Sequence, residues 1–222
     1  MNFGELKDKV AGYLNRDDLT AQIPDFIIMA QRKIERGDAI DGVGELKNIS
    51  GGFNCMRVEA TGTLTTDSPY LAFPTRYKST IDFRINNSGS RNKLYQEGKS
   101  TAINIYPDLS ADIGEPLMFS SDHANSRFIL RPTPDSNYTY YLEYYNYLTL
   151  LSADSNTNWW TDNAWEILLY AALLQAEPYM KNDARITLWG NLLKNALNGL
   201  IRAEKNEIFA GSSQGIRGSV IS

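Results

Sequence analysis

The sequence is poor in the residues on which metal binding, nucleophilic catalysis and covalent stapling depend. It contains one cysteine, Cys55, and one histidine, His123. A single thiol excludes an intrachain disulfide framework and a thiolate metal cluster. A single imidazole removes every scheme that needs two. His123 sits in the polar run Ser120-Ser121-Asp122-His123-Ala124-Asn125, which reads as a solvated turn. No glycine-rich phosphate loop ending in Gly-Lys-Ser/Thr, no dinucleotide fingerprint and no Gly-x-Ser-x-Gly elbow occurs. Gly51-Gly52 reads as a hinge and Ser88-Gly89-Ser90 as a turn. Ser121, Asp122 and His123 are chain neighbours whose side chains diverge, so they do not make a triad. Asp108, Asp112 and Glu115 lack the full ligand series of a calcium loop. The remaining acids are scattered and form no recognisable catalytic pair. The expectation is a protein that is not an enzyme and that uses no cofactor and no metal.

Neither sign of charge dominates: 22 Lys and Arg against 26 Asp and Glu leave a net charge of −4. No basic run stands out, which argues against sequence-independent binding of nucleic acid through phosphate neutralisation. Long apolar runs are missing too. The longest, Ile167 to Leu174, falls far short of the roughly 20 residues that span a bilayer. Met1-Asn2-Phe3-Gly4-Glu5 lacks the charged-then-apolar plan of a signal peptide. These features predict a soluble chain made in a cytoplasm. Its 222 residues suffice for a sizeable core in one large or two small domains.

What the chain has in abundance is tyrosine and tryptophan, 13 and 4 residues respectively. Both are enriched at interfaces, where one end of the side chain stays wet. Three uses remain open at this point: core and subunit interface, a platform for sugar rings, or stacking on single-stranded nucleic acid. The last needs a basic groove, of which the sequence gives no sign.

Helical spacing places Phe3, Leu6, Val10, Tyr13 and Leu14 on one stripe of a first helix that stops near Asn15. A second helix opens around Thr20 to Pro24, buries Phe26, Ile27, Ala30 and Ile34, and ends at Gly37. Its wet side is assigned to Gln31-Arg32-Lys33 and Glu35-Arg36. From residue 50 the period changes to two. Ser79 to Ile85 alternates with Ile81, Phe83 and Ile85 inward, and Asn86-Asn87-Ser88-Gly89 turns the chain. Weaker strands fit Cys55–Ala60, Ile103–Tyr106, Leu117–Ser120 and Arg127–Arg131. The strongest covers Tyr138–Leu148, where Tyr138, Tyr140, Leu142 and Tyr144 oppose Tyr141, Glu143, Tyr145 and Tyr147. Both of its faces are aromatic, so both call for cover. Short strands punctuated by turns point to an antiparallel sandwich or barrel-like sheet.

After a turn at Asn158 to Asn163 the chain becomes apolar on almost every helical face. Trp165, Leu168, Leu169, Ala172 and Ala176 make one face; Ile167, Tyr170, Ala171 and Leu174 make another. A helix of this kind must be covered on both sides, by its own fold or by another copy. Pro178 brings it to a kink or an end near Met180. Asn182-Asp183 can cap a last helix over 184–209, whose stripe includes Leu188, Trp189, Leu192, Leu193, Ala196, Leu197, Leu200 and Ala203. The bundle and subunit interface is therefore sought at Trp165, Leu169, Tyr170, Leu174 and Trp189. Residues 211–222 are rich in Gly and Ser yet carry Ile216, Val220 and Ile221. They cannot form a core alone.

Taken in order, these segments resemble the adaptor (head-to-tail connector) proteins of short-tailed bacteriophages. The resemblance is carried by Leu14-Asn15-Arg16-Asp17-Asp18-Leu19 with Phe26-Ile27 and Ala30-Gln31-Arg32-Lys33-Ile34. It continues in Leu71-Ala72-Phe73-Pro74-Thr75-Arg76-Tyr77, in Gly114-Glu115-Pro116-Leu117-Met118-Phe119 and in Phe128-Ile129-Leu130-Arg131-Pro132-Thr133-Pro134. Tyr140 to Tyr145, Leu150-Leu151-Ser152, Asn156-Thr157-Asn158-Trp159, Leu169-Tyr170-Ala171-Ala172-Leu173 with Ala176, and Asn182-Asp183-Ala184-Arg185 with Trp189 complete it. Two departures stand out. Ala164 occupies a position where the family often has proline, and the stretch between Gly37 and Gly52 matches weakly.

The resemblance implies an α+β fold. A four-helix bundle formed by the N- and C-terminal helices would carry an inserted antiparallel, sandwich- or barrel-like β domain and an extended C-terminal tail. The boundaries implied are 1–50 and 153–210 for the two helical pairs, 51–152 for the β domain and 211–222 for the tail. Function follows in the same sense: a structural virion protein at the head-tail neck, forming a homo-oligomeric ring of twelve. Such a ring would join the portal protein to tail nozzle or fibre proteins, and double-stranded DNA would pass through it without sequence-specific binding. Ile216, Arg217, Val220 and Ile221 are the expected portal-docking residues. The alternative is a β-sandwich sugar- or receptor-binding module of the virion.

Overall fold

The computed structural model describes residues 1–38, 52–180 and 185–209. In chain order the helices are α1 (Phe3–Leu14), α2 (Ile23–Arg36), α3 (Lys99–Ile105), α4 (Trp159–Asn163), α5 (Trp165–Met180) and α6 (Ile186–Phe209). The strands are β1 (Arg57–Thr63), β2 (Tyr70–Ala72), β3 (Tyr77–Asn87), β4 (Ser90–Lys93), β5 (Tyr95–Gln96), β6 (Ile113–Gly114), β7 (Met118–Asp122), β8 (Arg127–Arg131), β9 (Thr133–Pro134) and β10 (Thr139–Asn146). The chain separates into two units, Met1–Ile49 with Thr149–Ser222, and Ser50–Leu148.

In the helical unit, local chemistry sets the ends of the helices. The Asn2 side chain accepts the Glu5 N–H and the Glu5 carboxylate accepts the Asn2 N–H, a reciprocal cap that starts α1. Phe3, Leu6, Val10 and Leu14 are buried, whereas Tyr13 is 47% exposed and lies off that stripe. Pro24 sits in the first turn of α2, and Gly37 ends it at φ 80°, a conformation that favours glycine. Residues 158–163, expected as a turn, form the short helix α4 instead. Asn158 and Thr161 cap it reciprocally, and Ala164 breaks it from α5. Helices α1, α2, α4 and α6 all pack against α5, whose Ile167, Leu168, Leu169 and Ala171 to Leu174 are buried. Pro178 lies inside α5, two residues before its end. On α6, Trp189, Leu193 and Leu197 face inward, but Leu188, expected with them, is 52% exposed. The capping pair Asn182-Asp183 lies outside the described residues.

The second unit holds a sheet ordered β1-β10-β3-β4, a sheet ordered β2-β8-β7-β5 and the two-stranded pair β6-β9. Pairing is antiparallel except for β5 with β7 and β6 with β9. Neither sheet closes into a barrel, so the architecture is α+β with open sheet edges. Phe83, Ile85, Leu142 and Tyr144 of the first sheet share one buried cluster with Phe119, Phe128 and Leu130 of the second. The ring centroids of Phe83, Phe119 and Phe128 are 5.2 to 5.6 Å apart. Such edge-on and tilted contacts add to the burial of the rings themselves. The Ser88-Gly89 link between β3 and β4 has φ 51° and 89°, the two-residue turn whose twist suits a hairpin.

Two expectations within this unit need correction. Thr80 pairs with Tyr144 and Asp82 with Glu143, which makes Ile81 an extra residue in the ladder. The bulge breaks the alternation, so Phe83 and Ile85 are fully buried while Ile81 is only half-buried. Residues 103–106 are not a strand: Ile103 and Ile105 belong to α3 and are 39% and 52% exposed. Only Ala102 of that helix is buried. The alternating Thr101, Ile103 and Ile105 look like a strand, but propensity is a weak prior that tertiary packing overrides.

Two glycines give opposite expectations. A Cβ at Gly62 would stand 2.7 Å from the Tyr140 ring, its direct cross-strand neighbour, so Gly62→Ala should lose about 1–3 kcal/mol through overpacking. A Cβ at Gly12 in α1 would meet nothing within 4 Å, so Gly12→Ala should gain about 0.5–1 kcal/mol from backbone entropy. Thermal and urea melts of the two variants beside the parent check both signs.

Candidate functional site

Helix α5 organises the helical unit's polar interior as well as its apolar one. Glu35 of α2 is 1% exposed and Gln31, one turn earlier, is fully buried. Both were expected on the wet side of α2. The Glu35 Oε1 accepts the Gln31 side-chain amide at 2.7 Å and the Trp160 indole N–H at 3.2 Å. Arg32 pairs with Oε2 at 3.3 Å. The Asn158 amide, in turn, donates to Gln31 and to the Thr149 carbonyl. A buried charge is tolerated only when it is paired and hydrogen-bonded, and these contacts tie α2 to the segment that starts α4.

A second buried carboxylate lies towards the other end of α5. Glu177 is fully buried, accepts the Trp189 indole N–H at 2.9 Å and pairs with Arg185 at 3.1 Å. Its other oxygen has no hydrogen-bond partner among the described residues. Around Trp189 an aromatic group gathers from three helices. Tyr170 of α5 lies at 6.5 Å and 15° to it, and Tyr13 of α1 meets it edge-on at 6.0 Å. Lys9, one turn before Tyr13, places its ammonium 5.0 Å from the centre of the Trp165 ring.

Among the expected interface residues, the fold separates two kinds. Leu169, Leu174 and Trp189 lie inside the helical unit, whereas Trp165 and Tyr170 are half-buried and keep part of their rings at the surface. Ile216, Arg217, Val220 and Ile221 lie outside the described residues.

The outer face of the first sheet is the other candidate surface. Its rows run across the strands in register: Glu59, Glu143 and Asp82, then Thr61, Tyr141, Arg84 and Lys93. Glu143 is held by Arg57, whose guanidinium is pushed above its ordinary pKa by that hydrogen bond. Burial pushes the Asp82 carboxyl upward, yet hydrogen bonds from Arg84 and Lys93 prevail and hold it below the usual range. Arg91 lies 4.0 Å from the centre of the Tyr141 ring, and the Tyr145 ring packs directly on Gly52. A depression of about 140 Å³ lies among Glu59, Asp82, Arg91 and Tyr141. Among the described residues no group of acids, His and Cys could hold a metal ion, and no helix is long and apolar enough to cross a membrane.

If the Trp189 indole sustains the buried Glu177, Trp189→Phe should cost about 1–3 kcal/mol by stranding a carboxylate. Adding Glu177→Met should recover much of that loss, because an apolar pair needs no partner. Chemical denaturation of the single and double variants decides. A double variant no more stable than Trp189→Phe would refute the assignment.

Comparison with known families gives one finding: the family model described as SU10 adaptor protein matches residues 1–217. No curated protein matches the chain.

Proposed function

The chain belongs to the SU10 adaptor protein family, and from that membership we propose that copies of it form the ring joining a phage portal to its tail. A phage adaptor is a structural component of the virion; the ring, its place at the neck and its partners are our reading. The observation that carries it is the aromatic group on the helical unit. Trp165 and Tyr170 remain half-buried, Tyr170 beside the buried Trp189 and Trp165 under the Lys9 ammonium. Tyr and Trp that are apolar in body and wet at one end are the side chains that recur at contacts between subunits.

In this reading α1, α2, α5 and α6 make a four-helix bundle, and the two sheets make a sandwich inserted between the helical pairs. Bundle pairs at 1–50 and 153–210 flank a β domain at 51–152. Twelve copies surround the DNA channel, and the segment 211–222 docks into the portal through Ile216, Arg217, Val220 and Ile221. The net charge of −4 suits a channel that DNA must traverse, because a strongly basic lumen would hold phosphates. A sugar-binding platform is less well supported. Arg91 lies over one face of the Tyr141 ring and Gly52 packs against the Tyr145 ring, which reduces the ring surface left for a pyranose.

Two outcomes are expected. Deleting residues 211–222 leaves a subunit that folds normally by circular dichroism but no longer co-sediments with purified portal rings. Undiminished attachment would refute the docking role. In the assembled ring, Trp165 and Tyr170 should become strongly protected from hydroxyl-radical footprinting relative to the monomer. Equal labelling in both states would remove them from the interface.

A further inference from the structure

Among the described residues the two four-stranded sheets have four edge strands, and they are guarded unequally. In the second sheet β2 has three residues and β5 two, too short to template another strand. β4 has four residues. β1 has seven, contains neither proline nor lysine, and is exposed at Arg57, Val58, Glu59, Thr61 and Thr63. Every second residue of an antiparallel edge turns its N–H and C=O outward, so a long, flat edge is a ready template for pairing.

Strand parity selects the partner. From β1 through β10 and β3 to β4 every pairing is antiparallel. The two edge strands of this four-stranded sheet therefore run in opposite directions. Place a second copy beside the first in the same orientation and its β4 arrives antiparallel to β1. The contact uses two unlike surfaces, the head-to-tail type that closes into rings. The second sheet does not offer this: its β5 is parallel to β7, so β5 against the next β2 would be parallel, between strands of two and three residues.

Charge agrees with direction. On the outer face of the first sheet Glu143 has Arg57, and Asp82 has Arg84 and Lys93. Two charged residues of that face are left over among the described residues. Glu59 on β1 makes no close ion pair and has only the longer-range attraction of Arg57, and Arg91 on β4 meets only the Tyr141 ring. Within one copy they sit three strands apart and four residues out of row, since Arg91 shares its row with Asn86, Thr139 and Thr63, so their backbones are roughly 20 Å apart at about 4.8 Å per strand and about 3.3 Å per residue. Glu59 also lies directly opposite Glu143, a like-charge pair that shares the single cation Arg57 and that a second cation would relieve further.

We propose that the β1 edge of one copy pairs antiparallel with the β4 edge of the next, with Glu59 of the first meeting Arg91 of the second. The occupant of this edge is a second copy of the chain. The inference rests on the ring reading above and specifies which surfaces meet.

The test uses the full chain, with mass distribution followed across concentration, alone and on portal rings. Glu59→Arg should weaken self-association about tenfold or more, because like charges at an interface are strongly disfavoured. Arg91→Glu should do the same, and the combined E59R/R91E chain should recover most of the loss. Glu59→Gln, with no new charge, should give a smaller weakening in the same direction, and far-UV circular dichroism checks that each variant folds. Assembly of Glu59→Arg indistinguishable from the parent, or no recovery in the combined variant, overturns the edge pairing and leaves the ring reading standing. A parent chain that stays monomeric at every concentration and on portal rings overturns both.

Discussion

A helix apolar around its circumference cannot face water, and that constraint on α5 shapes the helical unit. From Ile167 to Leu174 every residue but Tyr170 is buried. No single partner helix can cover such a cylinder. The solution is to spread cover over α1, α2, α4 and α6, all of which touch α5, and the order of the helices follows. Segments on either side of the β unit in sequence must return to the same helix, so the sheets are carried as an insertion and the two chain crossings lie near residues 50 and 148.

Burying this much apolar surface fixes neither register nor orientation, since hydrophobic contact is not directional. The two buried carboxylates supply direction. Glu35 accepts only a donor at the right place, and the Trp160 indole reaches it when α4 begins at Asn158. Glu177 similarly requires the Trp189 indole and Arg185, which fixes where α6 lies along α5. Each acid costs desolvation, and each would be stranded in a slipped packing. The pair of tryptophan-to-carboxylate hydrogen bonds thus trades stability for a single arrangement.

Much of this was legible in the sequence where periodicity was clean. The Phe3, Leu6, Val10 stripe, the proline at the start of α2 and the glycine at its end stand where the pattern put them. The family resemblance was legible in the order of short segments, and a match over residues 1–217 supports it. The buried acids were not read, although the signal was present. Ile23, Ile27, Gln31 and Glu35 are spaced by four on one stripe, as are Leu169, Leu173 and Glu177. Their position on the stripe, more than their polarity, decides that they are buried. The bulge at Ile81 and the helix at Lys99–Ile105 were invisible for another reason. Each depends on long-range packing that no local pattern encodes. The interface could be narrowed only with coordinates, because Tyr170 and Leu174 share one helical face yet one is half wet and the other is sealed.

The two units treat their leftover surface differently. In the helical unit, the half-wet rings of Tyr13 and Tyr170 gather around Trp189, so a contact there gains mainly from burying ring area. On the outer face of the first sheet, most charges are already matched within the copy, and the remainder are one acid at one edge and one cation at the other. Matched charges add little to affinity, but leftover charges of opposite sign at opposite edges discriminate between neighbours placed head to tail and neighbours placed head to head. A head-to-head approach of two β1 strands would bring both Glu59 residues to one seam and leave Arg91 of each copy outside it. The aromatic surface can thus supply adhesion while the sheet edge supplies polarity. A closed ring needs both, because adhesion without polarity gives dimers and aggregates of no fixed sense.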